Sequence, residues 1–485
     1  MKILFACLAA FLLLMGRGEA ASAVPLSGVI EGFYGTPWTE AERLDMIAFC
    51  GDHGLTAYVY APKDDPYHRE KWREPYPAAE LSDLARLVAA ADAHDVHFVF
   101  AVSPGLDLHL GNGEAADRAA MLAKFEALYA LGVRDFAVFF DDIQNRDGAG
   151  QAAFLRAVDG ELRARHPDVH PLLTVPTEYG YDVMQDGEGR PTDYTRAFAA
   201  GLRGSGIIVL YTGDGVARRG LTAERLAAAA RLYDGSPLGL WWNYPVNDYE
   251  EPKLALGPME PLPLTGVPAM FFNPMKYERL SKIALATGAD LVRDPAHYDA
   301  DAAWQRAIQN QYGTADRPIA RASKAPARRS SDLAAAMQTF ADHSTHLKNH
   351  WADIGRDDAP ELRHAIDNLF AAMDQGAPSS VTASRIHDLD ARCAAIVAAT
   401  QTLAQHLDAA TLEECRPQLH RLETLATASR SGLALLVAQQ RGTDAPAARA
   451  HFRALRTELA EDSSAKISDD ALCVLVEGVA ERIGE

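Results

Sequence analysis

The chain reads as an α/β protein: a (β/α)8 barrel of the TIM type followed by a C-terminal α-helical bundle. Three observations predict this. Apolar, β-branched or aromatic runs recur eight times up to Phe272, stretches with helical periodicity separate most of them, and long amphipathic stretches fill the chain beyond. A doubly wound open sheet shows a similar alternation over fewer units, so the count favours the barrel.

Taken in order, the first residues read as a secretory signal. Lys2 precedes an apolar run from Ile3 to Met15, too short to span a bilayer, and small residues follow at Ala20 to Ala23. Eight candidate strands come next: Gly28 to Phe33, Leu55 to Tyr60, His97 to Val102, Phe136 to Phe140, Pro171 to Val175, Ile207 to Tyr211, Leu238 to Trp242 and Met270 to Phe272. Leu81, Leu84, Leu87 and Val88, and then Leu122, Phe125 and Leu128, mark helices between them. Residues from about Ala320 to Arg329 are rich in Ala, Arg, Ser and Pro without a period, which suits a linker or loop. Beyond it Ile386, Leu389, Cys393, Ile396, Leu403 and Leu407 share one helical face, as do Leu419, Leu422, Leu433 and Leu436. The expected division is a signal peptide over 1–22, a barrel over 23–315, a linker over 316–332 and a helical bundle over 333–485.

Composition narrows the partners. The chain is 485 residues long and 48% hydrophobic, with a formal charge of -19 and no cluster of Lys and Arg, which argues against nucleic acid or an acidic membrane face. After the leader no segment is apolar enough to span a membrane, so the expected location is secreted or periplasmic. Cys7 falls within the leader; Cys50, Cys393, Cys415 and Cys473 remain. Cys393 with Cys415 is the candidate disulfide in an oxidising compartment, buried free thiols being the alternative, and the spacings do not resemble a zinc site.

The run from Val138 to Gln144, VFFDDIQ, is what a buried strand looks like when it carries chemistry at its carboxyl end. Other strand ends are polar too: Glu31 and Gly32, Lys63 with Asp64 and Asp65, Ser103, Thr177 with Glu178 and Tyr179, Thr212, Asn243 with Asp248, and Asn273. Helix-capping preference alone accounts for about half of such positions; a polar cup lined from all around the barrel accounts for them together. Adjacent Asp141 and Asp142 in such a cup suit a division of labour, one carboxylate charged and one carrying a proton. A metal site fits less well, since no convergent His is evident. Tyr179, Trp241, Trp242 and Tyr244 offer apolar faces to a sugar ring. Neighbours on one strand end are poorly placed to flank a scissile bond, which favours substrate assistance, where a 2-acetamido oxygen attacks its own anomeric carbon.

The strings GVIEGFYGTPW (28–38), YAPKDDPYHREKWREPYP (60–77), DDIQ (141–144), TVPTEY (174–179), WWNYPVND (241–248), LALGP (254–258) and NPM (273–275) together resemble glycoside hydrolase family 84. That family holds the β-N-acetylglucosaminidases called O-GlcNAcases and enzymes named hyaluronidases; GRDDAPELR from Gly355 is similar as well. The resemblance implies that Asp141 polarises the acetamido N–H and Asp142 is the general acid and base. It implies that Tyr179, Thr212, Trp241 and Asn243 shape the acetamido pocket, while Gly32, Lys63, Asp248 and Asn273 hold sugar hydroxyls. No metal or organic cofactor is implied, and the expected partner is a GlcNAc-bearing glycoprotein or glycan. Asp64 and Asp65 are expected to pin their loop, and Trp351 to be core, a reach from the helical region to the aglycone side being the alternative. Tyr211 stands where relatives often carry Trp, and the α/β domain that precedes many bacterial barrels is not seen before this one. The expected activity is retaining exo-β-N-acetylglucosaminidase; a hyaluronidase-type glycosidase and a noncatalytic GlcNAc-binding protein are the rivals.

Overall fold

The computed structural model describes residues 24–233, 235–313 and 328–485. The expected signal peptide lies outside the described residues, as does most of the expected linker. The strands are β1 (Leu26–Glu31), β2 (Ala57–Tyr60), β3 (His97–Val102), β4 (Asp135–Phe139), β5 (Leu173–Val175), β6 (Ile208–Tyr211), β7 (Leu238–Trp242) and β8 (Ala269–Phe272). They pair in sequence order, all parallel, and β8 returns to β1 to close the barrel. Each expected strand overlaps an observed one; the boundaries move by one or two residues where the apolar run includes flanking loop.

Helices α1 (Glu40–His53), α2 (Ala78–Ala93), α3 (Glu114–Ala130) and α4 (Gly148–Arg165) follow the first four strands. The first shows how local sequence sets an element: Thr39 caps it, Glu42 reaches back to the Thr39 N–H, and Gly54 ends it in the left-handed region at φ 74°. Two short helices, α5 (Tyr181–Met184) and α6 (Asp193–Leu202), connect β5 to β6, and α7 (Ala223–Leu232) connects β6 to β7. Between β7 and β8 the described residues form no helix, and a long loop crosses the top of the barrel instead.

Strand alternation divides the core in two. Ile30, Val59, Val99, Ala137, Phe139, Leu210, Trp241 and Phe271 fill the barrel interior. Val29, Tyr58, Phe136, Val138, Phe140 and Trp242 face outward against the helices.

After β8 come α8 (Glu278–Arg293), α9 (Ala300–Tyr312) and α10 (Arg328–Asp342), the last beginning inside the stretch read as linker. A two-stranded antiparallel ribbon, β9 (Leu347–Lys348) with β10 (Asp353–Ile354), precedes α11 (Pro360–Asp374), α12 (Ser379–His406), α13 (Ala409–Gln440), α14 (Pro446–Glu461) and α15 (Leu472–Ile483). Helices α12 and α13 pack together through the expected faces, with Ile386, Leu389, Cys393, Ile396, Leu403, Leu419, Leu422, Leu433 and Leu436 buried. Cys393 and Cys415 do not join: both are buried free thiols, pushed up to about 12 by burial. The Cys415 thiol donates to the Thr411 carbonyl of its own helix, 3.3 Å away. Among the described residues no helix is long and apolar enough to cross a membrane.

Candidate active site

Strand parity places most of the site. On β4, Ala137 and Phe139 point into the barrel, and two residues on Asp141 continues that face at the carboxyl end. The same step carries Lys63 beyond Val59 and Ala61, Thr212 beyond Leu210, Asn243 beyond Trp241 and Asn273 beyond Phe271. Asp142 ought to face the helices. It does not, because its backbone turns into the left-handed region at φ 56°, strained for an Asp, and brings the second carboxylate into the same cup.

The cup is a cavity of about 300 Å³, and it gathers every expected site residue: Gly32, Lys63, Asp141, Asp142, Tyr179, Thr212, Trp241, Asn243, Asp248 and Asn273. Tyr34, Tyr249 and Trp351 add aromatic faces to the wall, with Val175, Val216 and Val246 beside them. Tyr34 was open to detection, sharing the parity of Ile30 and Gly32. Trp351, expected to be core, is half-buried and reaches the cavity from the loop of the β9–β10 ribbon, its ring 4.7 Å from that of Tyr249. The alternative reading of Trp351, a reach toward the site from the helical region, is the one the structure adopts.

The two aspartates sit in different surroundings. Lys63, itself buried, donates to Oδ2 of Asp141, while Asp141 Oδ1 is buried and makes no hydrogen bond. Asp142 takes one hydroxyl on each oxygen, Tyr34 at 2.7 Å and Tyr179 at 2.8 Å, and Arg69 donates to the Tyr34 hydroxyl at 2.7 Å. Burial and then the Asp142 charge push both phenols well above their ordinary range, so they remain donors.

A second network holds the opposite wall. Asn243 Oδ1 accepts from Trp241 Nε1 at 2.8 Å and from Asn273 Nδ2 at 3.0 Å, and Gly32 N–H donates to Asn273 Oδ1 at 3.3 Å. A Cβ at Gly32 would stand 2.4 Å from Trp241 Cζ2, so only glycine lets backbone and indole approach this closely. Asp248 accepts from the Tyr34 N–H at 2.8 Å, and burial raises its carboxyl above the usual range. Thr212 is spent on the loop: its hydroxyl donates to the Gly215 carbonyl at 2.7 Å.

Several polar strand ends belong elsewhere. Glu31 faces outward and takes a two-pronged ion pair from Arg43, 2.8 Å at each oxygen, together with the Tyr58 hydroxyl. Glu178 pairs with Arg146 at 2.6 Å, and Ser103 meets His68 at 3.0 Å. Asp65 pins its loop, accepting from the hydroxyls of Tyr60 and Tyr76 at 2.7 Å each. Trp242 and Tyr244, read as sugar faces, are instead packed outward against the helical layer, because parity sends the neighbour of an inward residue away from the barrel.

Comparison with known proteins bears on the fold and the family. A family model described as beta-N-acetylglucosaminidase matches residues 27–325, and one described as hyaluronidase post-catalytic domain-like matches residues 361–473. Protein O-GlcNAcase of Rattus norvegicus is 32% identical over 251 residues, covering 50% of this chain and 27% of that protein. Protein O-GlcNAcase of Mus musculus is 32% identical over 240 residues, covering 48% and 26%. The chain thus spans about a quarter of the length of these curated relatives. The solved structure of CpGH84B superposes with a TM-score of 0.85 at 35% identity, covering 94% of this chain and 76% of that one. A mutant of the Thermobaculum terrenum O-GlcNAc hydrolase superposes with a TM-score of 0.76 at 25% identity, covering 94% of each chain. The barrel, its helical extension and the matches across both place the chain in the β-N-acetylglucosaminidase family, glycoside hydrolase family 84.

Proposed function

We propose that the protein is a retaining exo-β-N-acetylglucosaminidase that removes terminal β-linked GlcNAc, the sugar on Ser or Thr of proteins included, by substrate assistance. The observation that carries the reading is the split between the aspartates: Asp141 keeps one buried oxygen free of hydrogen bonds beside Lys63, and Asp142 is held by two hydroxyls. A free buried acceptor suits an acetamido N–H. With that N–H held, the acetamido oxygen forms a bond to the anomeric carbon as the glycosidic bond breaks, and Asp142 gives its proton to the departing oxygen. Asp142 then takes a proton from the water that opens the oxazoline, returning the sugar with its original anomeric configuration. Tyr179, Thr212, Trp241 and Asn243 are assigned to the acetamido pocket, and Gly32, Lys63, Asp248 and Asn273 to the sugar hydroxyls. The cavity volume suits one sugar unit better than a chain threading through, which supports exo action. We extend the proposal to an exported protein, on the strength of the apolar leader.

The experiment is an initial-rate series on aryl N-acetyl-β-glucosaminides with progressively fluorinated acetamides, and the plain β-glucoside as control. Rates should fall steeply with fluorination, because a poorer carbonyl nucleophile slows ring closure, and the glucoside should not turn over. A flat series would replace the acetamide by a protein nucleophile and overturn the mechanism.

A further inference from the structure

We propose that His97, Asp135 and His170, at the N-terminal mouth of the barrel, form a binding site for a divalent cation of the zinc type. His97 opens β3, Asp135 opens β4, and His170 leads into β5, so three adjacent strands of the closed barrel fix the donors. Asp135 is buried at 8% exposure, and each of its oxygens faces one imidazole: Oδ2 lies 2.9 Å from His97 Nδ1 and Oδ1 lies 2.8 Å from His170 Nδ1. The donor atoms all lie within 4.8 Å of one another, and the two rings stand 5.6 Å apart. Two imidazoles and a carboxylate are a donor set that zinc takes, and water completes four-coordination.

Charge and access fit as well. With neutral imidazoles the set carries one negative charge, and among the described residues Asp135 pairs with these two histidines and with no Lys or Arg. Both histidine side chains are about half exposed, at 45% and 55%, which leaves a path for the ion. Binding requires each Nδ1 to give up the proton it shares with Asp135. In a neutral ring that proton passes through water to the exposed Nε2, so no net proton is released and no redox partner is needed.

The other cluster of this type, His346 with Asp357 and Asp470, lacks these features. Both nitrogens of His346 are taken, by Asp470 at 2.8 Å and Asp353 at 3.0 Å, and Asp357 receives Arg219 at 2.8 Å. It is an ion-pair network with its cations already supplied.

The proposed site lies at the opposite end of the strands from the aspartate pair, roughly 20 Å away at the rise of an extended strand from Asp135 to Asp141. Its occupant would therefore tie β3, β4 and β5 together and act on stability instead of on the chemistry. The test uses the untagged full chain, stripped with chelator and titrated with Zn²⁺ by calorimetry and with Co²⁺ by visible absorption. One saturable site is expected, with a d–d spectrum of tetrahedral intensity and a melting temperature that rises with Zn²⁺. His97→Gln and His170→Gln should each weaken binding by about 100-fold or more, beyond what loss of an outer-shell partner costs. His346→Gln should leave it intact, and hydrolysis by the stripped protein should be unchanged in His97→Gln and His170→Gln. Absence of saturable binding in the unsubstituted chain overturns the site without reference to any variant. So does binding that survives both His97→Gln and His170→Gln, or that His346→Gln abolishes.

Discussion

A single left-handed residue lets two neighbouring carboxylates share one pocket, and the different partners of Asp141 and Asp142 give their replacement different signatures. Asp142→Asn removes the proton donor, so turnover on substrates with poor leaving groups should fall by roughly 10²–10⁴-fold, and far less on an aryl glycoside that needs little protonation. Asp141→Asn should slow both substrates alike, because ring closure suffers whatever departs. Rates on the two substrate types decide it: equal losses for Asp142→Asn, or an activated substrate untouched by Asp141→Asn, reverse the assignments. Much of this was legible in the sequence, since strand parity alone points Asp141, Lys63, Thr212, Asn243 and Asn273 inward. The same rule, applied strictly, excludes Glu31 and Trp242, which residue chemistry alone had left as candidates. Parity misplaces Asp142, sending it toward the helices, because its true orientation depends on a backbone angle that few non-glycine residues adopt. It points Ser103 inward with Val99 and Ala101, but the Ser103 hydroxyl is taken up by His68 and does not line the cup.

At the level of elements, the barrel and helical region meet through charged groups that periodicity does not reveal. Lys253, in the loop between β7 and β8, donates to Asp358 at 2.7 Å and to Asp469 at 2.9 Å, and Asp358 also accepts the backbone N–H groups of Thr345 at 2.9 Å and His346 at 3.1 Å. Burial works against the Lys253 charge, but the two carboxylates outweigh it and hold the ammonium firmly protonated. Asp358 is fully buried, so Lys253→Met would strand a carboxylate away from water and cost about 3–5 kcal/mol of stability. Urea unfolding checks the figure. The ribbon that carries Trp351 hangs from this seam through His346 and Asp353, so loss of the lysine should also raise KM for substrates with a large aglycone. Helix α12 was legible because one apolar stripe repeats along it; the β9–β10 ribbon was not, because two residues per strand carry no period.

Over the whole molecule, buried titratable groups pull stability in opposite directions with pH. Burial lifts the carboxyls of Glu260, Glu278 and Glu414 from 4.5 to about 7. Through that window the folded chain holds protons that the unfolded chain has released, so their contribution weakens as pH rises and is lost above about 7. Burial lowers His68 from 6.5 to about 3 and His343 from 6.5 to about 4. There the unfolded chain binds the extra proton, so stability falls as pH drops below 6.5. Between the two carboxylate and histidine limits the slopes oppose each other, and the stability optimum should be broad. Glu260 isolates one side of the balance: its Oε2 accepts from the Gly220 N–H at 2.8 Å, while its buried Oε1 makes no hydrogen bond. Glu260→Gln keeps the acceptor and abolishes the ionisation. The variant should melt close to the parent at about pH 5 and a few degrees above it at about pH 8, since only the parent must then either carry a buried charge or keep a costly proton. Thermal unfolding across that range reads the gap directly, and a gap that stays constant with pH would remove Glu260 from the balance and leave the alkaline slope to Glu278 and Glu414.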